Sequence, residues 1–366
     1  MADRDASSIK PRREKTVLRT LLNVLLVGLP VALLGERLGW APAVVFGASG
    51  LAIVPLAMWL GRATEELALR AGSALGALLN ATFGNATEII IALIAVHAGL
   101  LDVVKGSLAG SVISNLLFVL GLALLAAGVR VKHPSFNRTA ASAAGSAMTL
   151  AVIGLLLPAA FSLTLHPANP AAEERLSLVV AGFLMIGYVL GLLFTLVTHA
   201  HLFAVEAAAE TGASWSPRRA LAVLVSVTTA IALMSEVLVN SVNGVTQELG
   251  WSQLFIGVIF IPLIGNAAEQ MTAVVVAAKG KMDLSLGIAL GSSQQVALLV
   301  APLIVFASIP LGHPMDLLFR PIELLAIVVA VAIAGLITLD GESNWFEGAQ
   351  LLIAYGIIAA ALFLYR

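Results

Sequence analysis

Cysteine and charge are scarce in this chain of 366 residues: it has no cysteine, and only 11% of its residues are charged. The lack of cysteine excludes disulfide bonds, thiolate metal sites and thiol redox switching. The low charge excludes an ordinary soluble domain, in which about a quarter of the residues are charged. A bound metal ion must therefore use oxygen or histidine ligands. Because the six histidines lie near the ends of apolar segments, we expect oxygen ligands.

Apolar residues, by contrast, make up 60% of the chain and are gathered into blocks of membrane-spanning length. This pattern predicts an all-α polytopic membrane protein with 11 transmembrane helices and with the lipid bilayer as its surroundings. The predicted segments are 17–35, 40–60, 72–99, 103–128, 139–160, 175–199, 219–243, 252–278, 284–308, 317–338 and 347–365. The first follows a basic stretch and has no small-residue cleavage site, so we expect it to be retained.

The distribution of basic residues predicts the orientation. With a cytoplasmic N-terminus, 15 of the 20 Lys and Arg residues fall in cytoplasmic segments and five fall outside. This asymmetry obeys the positive-inside rule and places the C-terminus outside. The short loops are typical of a prokaryotic plasma membrane protein, and no feature indicates nucleic-acid binding.

An internal repeat is visible when the chain is shifted by 181 residues. The stretch that begins GNATEIIIAL then lies on GNAAEQMTAV with 12 identities in 38 positions and no gap. Five predicted helices separate one copy from the other, so the copies should cross the membrane in opposite directions, as in inverted-repeat transporters. The matched pairs include Gly84/Gly265, Asn85/Asn266, Glu88/Glu269, Asp102/Asp283, Gly106/Gly287, Gly110/Gly291 and Ser111/Ser292.

The repeat predicts how the chain is divided. We expect a basic cytoplasmic N-terminus (1–16), a first transmembrane helix outside the duplication (17–35) and two five-helix halves (36–200 and 218–366). A cytoplasmic linker with a short acidic helix (201–217) should join the halves.

Each copy places Gly-Asn-Ala-x-Glu at mid-membrane depth. Glycine and asparagine there favour a break in the helix, which would free backbone carbonyl groups around Gly84 and Gly265. Carbonyl, amide and carboxylate oxygens are the ligands that calcium prefers. The alternative is that Glu88 and Glu269 only hydrogen-bond to neighbouring helices, but the duplicated context favours an ion site.

The second helix of each copy combines small and polar residues. The glycines at GxxxG spacing, Gly106 with Gly110 and Gly287 with Gly291, predict close helix packing. A polar cluster follows, and such a cluster either joins helices or lines a hydrated path. Its members are Ser111, Ser114, Asn115, Ser292, Ser293, Gln294 and Gln295.

Other carboxylates carry weaker signals. Glu236 is a third acid within an apolar block, predicted to be buried and either to line the ion path or to be paired in the bundle. The neighbours Glu65 and Glu66 have the pattern of a solvated cytoplasmic face. Glu206 and Glu210 share one helical face in the linker, where a solvated face is again the simpler interpretation.

The two signature stretches, GLLNATFGNATEIIIAL and GNAAEQMTAVVVAAKGKMDLSLGIALGSS, resemble those of the calcium/proton exchangers of the cation/calcium antiporter superfamily. The resemblance covers nearly the whole chain. It implies that Glu88 and Glu269 are shared ion ligands, assisted by Asn85, Asn266 and the backbone of Gly84 and Gly265. It also implies that Glu65 and Glu236 lie along the access paths and that the linker around Glu206 and Glu210 is regulatory. From the polar cluster, we expect Ser111 and Ser292, which the repeat retains, and Asn115 and Gln295 to line the same path.

The expected activity is therefore Ca²⁺/H⁺ antiport, with Ca²⁺ exported and protons as the counter-ion, and a monomer should suffice. Two carboxylates that lie close together in a low-dielectric site cannot both stay ionised when no cation is bound. Calcium and protons should therefore compete for them. The alternatives are a Na⁺ or K⁺/H⁺ antiporter of the same fold and a cation channel. An enzyme is not expected, because no mid-membrane histidine or HExxH-like pair is present.

Overall fold

The structure, a computed structural model, describes residues 23–71, 76, 79, 82–164, 169–202 and 213–365. The predicted N-terminal segment 1–16 and the linker acids Glu206 and Glu210 lie outside the described residues. All named elements are helices, as predicted. They are α1 (Gly28–Leu38), α2 (Pro42–Ala71), α3 (Ala86–His97), α4 (Leu101–Gly128), α5 (Arg138–Thr164), α6 (Pro170–Thr198), α7 (Pro217–Leu249), α8 (Gln253–Gly265), α9 (Ala267–Ala278), α10 (Met282–Ser308), α11 (Pro321–Ile337) and α12 (Trp345–Leu364).

Every predicted apolar block overlaps at least one of these helices, although the lengths and bounds differ. In the described part of the chain, seven helices are long and apolar enough to cross a membrane, and the bent pair α8–α9 brings the number to eight. Helices α3 and α11 are shorter, with 12 and 17 residues. The first predicted helix is described only from Asn23 onward, where a 3₁₀ turn (Leu25–Val27) leads into α1.

Helix α4 forms the centre of the bundle. Of its most apolar stretch, 83% is buried, against 22% for α6 and for α12 at the periphery. Glycines allow its neighbours to approach closely: a Cβ on Gly110 would overlap the Val258 carbonyl oxygen of α8, and one on Gly121 would lie 2.9 Å from the Gly348 carbonyl oxygen of α12. The predicted packing role of the first GxxxG pair is therefore confirmed.

The second GxxxG pair does not pack in the same way. No described atom would lie within 4 Å of a Cβ on Gly287 or Gly291. The expectation of close packing on both pairs is therefore wrong for α10 in this conformation. The physical reason is that α10 is less enclosed than α4: 67% of its most apolar stretch is buried.

Candidate cation-binding site

Both signature motifs interrupt a helix in the same manner. Asn85 precedes α3 with φ −94° and ψ 13°, and Asn266 separates α8 from α9 with φ −94° and ψ 4°. These angles lie outside the helical region and close to the sparsely populated bridge region. At Asn266 the chain bends by 63° between α8 and α9. The break predicted from Gly-Asn is thus present in both copies, with nearly identical backbone angles.

The break positions the two glutamates at equivalent places. Glu88 and Glu269 each lie in the first turn of the helix that restarts after the asparagine. The helix N-terminus carries a partial positive charge, which favours a carboxylate there. Glu88 is only 9% exposed.

The two halves of the chain meet at this point. A Cβ on Gly265, in the second copy, would lie only 3.2 Å from Cγ of Glu88 in the first. Glycine at 265 therefore provides the space in which the Glu88 side chain lies. A carboxylate of one copy therefore lies against the helix break of the other.

The asparagine amides are oriented by polar side chains of the opposite copy. Asn85 Nδ2 donates to Oε1 of Gln295, and Asn266 Nδ2 donates to Oγ of Ser111 at 3.0 Å. Both asparagine side chains are almost completely buried. Because the nitrogens are used in these bonds, the amide oxygens point elsewhere and remain available.

Five buried oxygen atoms of this cluster have no hydrogen-bond partner among the described residues. They are both carboxylate oxygens of Glu88, Oε2 of Glu269, and the Oδ1 atoms of Asn85 and Asn266. A buried acceptor without a partner costs free energy, so a group of five in one place indicates that these oxygens serve a purpose other than folding. Their chemistry, carboxylate and amide oxygen only, is that of a hard-cation site.

A second polar layer supports the first. Asn115 Nδ2 donates to Oγ of Ser292 at 3.0 Å, and Ser292 lies beside the Glu269 carboxylate. Helices α4 and α10 each contain a π-helical segment here, Ser114–Val119 and Val296–Val300. Wide turns of this kind are frequent at functional sites. The structure therefore brings Ser111, Ser292, Asn115 and Gln295 next to the asparagines and Glu269.

One contributing residue was missed by the sequence analysis. Gln270 is buried next to Glu269, and its Nε2 donates to the Pro262 carbonyl oxygen at 3.4 Å, next to the break. The only signal was its position directly after Glu269, which alone does not separate it from an ordinary helix residue. The bond helps to satisfy a carbonyl group beside the break.

Two of the remaining acidic predictions are corrected by burial. Glu236 was expected to be buried, but it is exposed on α7, so it is not paired within the bundle. Asn240 and Asn243 of the same helix are exposed as well. Glu66 was expected on a solvated face, yet it is only 6% exposed, whereas Glu65 is exposed. Successive residues of a helix point about 100° apart, and Glu66 occupies the side of α2 that another segment covers.

Comparison with known proteins agrees with this arrangement. A family model described as sodium/calcium exchanger protein matches residues 41–197 and 219–364, which is more than half of the chain. The chain belongs to the sodium/calcium exchanger family. The family resemblance inferred from the two signature stretches is thereby confirmed.

Relatives within the family are similar over nearly their full length. A Ca²⁺/H⁺ antiporter of Aphanothece halophytica is 47% identical over 362 residues, covering 94% of this chain and 96% of that protein. The Ca²⁺/H⁺ antiporter ChaA of Bacillus subtilis is 41% identical and covers 92% and 97%. The solved structure of native YfkE superimposes with a TM-score of 0.82 at 38% identity, covering 94% of this chain and 99% of that one. The H⁺/Ca²⁺ exchanger CAX shares the fold, with a TM-score of 0.72 at 14% identity.

Proposed function

We propose that this protein is a secondary Ca²⁺/H⁺ antiporter of the cell membrane, which exports Ca²⁺ from the cytoplasm in exchange for protons. Its relatives are named as antiporters of these two ions, and it is a transporter rather than an enzyme. Ca²⁺ and H⁺ are its transported substrates, and no separate cofactor is assigned. The observation that carries the proposal is the group of five buried, unpartnered oxygens contributed by both copies.

We assign the ion ligands to this group. Glu88 and Glu269 supply the charge, Asn85 and Asn266 supply amide oxygens, and the backbone at Gly84 and Gly265 completes the set. Calcium takes six to eight oxygens, so water would fill the remaining positions. Two carboxylates favour a divalent ion over Na⁺ or K⁺, which need less ligand charge. This difference is why Ca²⁺ is preferred to the monovalent alternative.

Exchange follows from the electrostatics of an enclosed site. Two interacting carboxylates in a low-dielectric site hold protons when calcium is absent, since both charges together are unfavourable. A divalent cation reverses this preference and displaces the protons. The empty, doubly charged form would be costly to enclose, so only the protonated and the calcium-loaded forms should change access, which suppresses leak.

Alternating access would be provided by two inverted five-helix halves and a first helix outside them, eleven spans in total. The matching break angles at Asn85 and Asn266, and the π-helical segments in α4 and α10, support such a duplication. The glycine face of α4 is closely packed and that of α10 is loosely packed. We infer that the two faces exchange these roles when the helices slide from one access state to the other. Glu236 of α7 and Glu65 of α2 are both exposed, and we assign them to the outer and the inner access path, respectively.

The test uses proteoliposomes that enclose a pH dye. A pulse of Ca²⁺ is added, and ⁴⁵Ca²⁺ uptake and internal pH are recorded for the wild type and for Glu88→Gln. The proposal predicts calcium entry coupled to proton exit in the wild type and neither in the variant. Calcium entry without proton movement would show a channel, whereas proton movement driven only by Na⁺ or K⁺ would show a monovalent antiporter.

A further inference from the structure

Outside the ion site, α2 carries a buried carboxylate with well-defined partners. Glu66 accepts hydrogen bonds from Oγ of Ser214 and from the backbone N–H of Trp215, the latter at 2.9 Å. These two residues lie in the short stretch 213–216, which precedes α7. A buried carboxylate that receives two donors in this way is a strong, geometrically specific contact.

Trp215 is buried and has several partners. Its side chain is 5% exposed, and its carbonyl oxygen accepts a hydrogen bond from Nη2 of Arg70. Its ring stacks on that of Trp59, with the centroids 6.0 Å apart. The guanidinium groups of Arg62 and Arg219 lie 5.0 and 4.9 Å from the ring centroid, within the range of cation–π attraction. Of these partners, Arg62, Arg70 and Trp59 all belong to α2.

The opposite ends of the same two helices are also joined. The Ala43 N–H, at the start of α2, donates to Oε2 of Glu248 near the end of α7 at 3.0 Å. A Cβ on Gly244 would overlap the ring of Pro42, so the helices are in direct contact there. The start of α2 thus lies at the end of α7, and the two helices run antiparallel with a fastening at each end.

Helix α2 also touches the ion site. A Cβ on Gly50, in the first third of α2, would lie 2.7 Å from Cδ1 of Ile264, which directly precedes Gly265 at the helix break. A displacement of α2 along its axis therefore acts on α8 beside the Glu88 carboxylate. Close-packed contacts of this kind transmit movement because packed interiors deform little.

We propose that Glu66 and Trp215 form an inner clamp, in which the buried Glu66 carboxylate and the sandwiched Trp215 ring fasten the start of α7 to the end of α2. They act as positioning residues. The clamp makes α2 and α7 move together when the transporter changes access. It contacts neither the ion nor its proposed ligands. This inference rests on the proposed antiport for its kinetic effect, but the clamp itself can be tested without transport.

The experiment combines transport kinetics with cysteine labelling, which is direct because the chain has no cysteine. Ala220→Cys places one thiol at the start of α7, at a position that is fully buried. The labelling rate with a water-soluble maleimide is measured in this background for the intact clamp, Glu66→Gln, Trp215→Ala and Trp215→Phe. In parallel, ⁴⁵Ca²⁺ transport is measured in proteoliposomes and divided by the number of calcium sites titrated at equilibrium.

For Glu66→Gln and Trp215→Ala we expect labelling about tenfold faster and turnover per site lower by about threefold or more, with the KM for calcium within about twofold. Trp215→Phe keeps an aromatic face, and its labelling rate and turnover should remain close to those of the wild type.

Because turnover is expressed per calcium site, a lower amount of folded protein alone cannot lower it. Should Trp215→Ala fail to fold, Glu66→Gln decides by the same criteria. Exposed Trp345→Ala and Glu174→Gln are the matched controls and should change neither quantity.

Unchanged labelling and unchanged turnover in Glu66→Gln would overturn the clamp. So would a large rise in KM at constant turnover, because that pattern belongs to an ion-binding residue. If wild-type protein moved no protons with calcium, the proposed function would fail instead, and the labelling rates would still decide whether the clamp exists.

Discussion

Glu88 and Gly265 come from different copies of the repeat, and the side chain of the first lies against the backbone of the second, with 3.2 Å between Cγ of Glu88 and the position that a Cβ at 265 would occupy. This contact ties the geometry of one copy's carboxylate to the helix break of the other. In the proposed ion site, neither copy is therefore complete without the other.

Gly265→Ala is the first prediction. Because a methyl group at 265 must push against Glu88, we expect the affinity for calcium to fall by about tenfold, the scale of about 1.4 kcal/mol, with a small loss of stability. Equilibrium binding of ⁴⁵Ca²⁺ to purified protein measures the effect. Gly356→Ala in α12, where a Cβ would meet no described atom within 4 Å, is the control and should bind normally.

Calcium should stabilise the folded protein only when the carboxylates are present. For the wild type, calcium at a hundred times its Kd should add about 2.7 kcal/mol of stability, seen as a rise in Tm. Glu88→Gln and Glu269→Gln should lose most of this rise. Their Tm without calcium should be equal to or above that of wild type, because a carboxamide stays uncharged without having to bind a proton. A full calcium-dependent rise in either variant would contradict the ligand assignment.

The two asparagine orientations depend on partners in the opposite copy. Gln295→Ala and Ser111→Ala remove the acceptors of Asn85 Nδ2 and Asn266 Nδ2, so the amides become free to turn their nitrogens toward the site. We expect weaker calcium binding in both variants, each by about 0.5 to 1.5 kcal/mol, the usual contribution of such a bond. Ser107→Ala, whose hydroxyl bonds only within its own helix, should leave binding intact.

The glycine pairs give a matched test of packing. Gly110→Ala would force α4 away from the Val258 backbone, so we expect a loss of about 1 to 3 kcal/mol in stability. Gly291→Ala, at the equivalent position of α10, meets no described atom and should be tolerated in this conformation. Thermal unfolding in detergent compares the two, and equal destabilisation would contradict the asymmetry.

Much of the fold could be predicted because a bilayer demands apolar helices, and each predicted block overlaps at least one described helix, although α3 and α11 are short. The helix breaks at Asn85 and Asn266 could also be predicted, since Gly-Asn disfavours a helix locally. What failed was the direction in which single acids face. Glu66 and Glu65 are adjacent in sequence, but only the structure shows that residues 214 and 215, about 150 positions away, return to cover one of them. Glu236 was misjudged for the same reason, because helix composition alone does not say which side a neighbour covers.

The central claim is that calcium and protons compete for one pair of carboxylates. It is tested most directly by adding Ca²⁺ to purified protein in a weakly buffered solution with a pH indicator, at saturating concentration, and counting the protons released for each calcium bound. The account predicts proton release by the wild type and none by a variant that carries both Glu88→Gln and Glu269→Gln. Calcium binding to the wild type with no proton release across the whole pH range would contradict it.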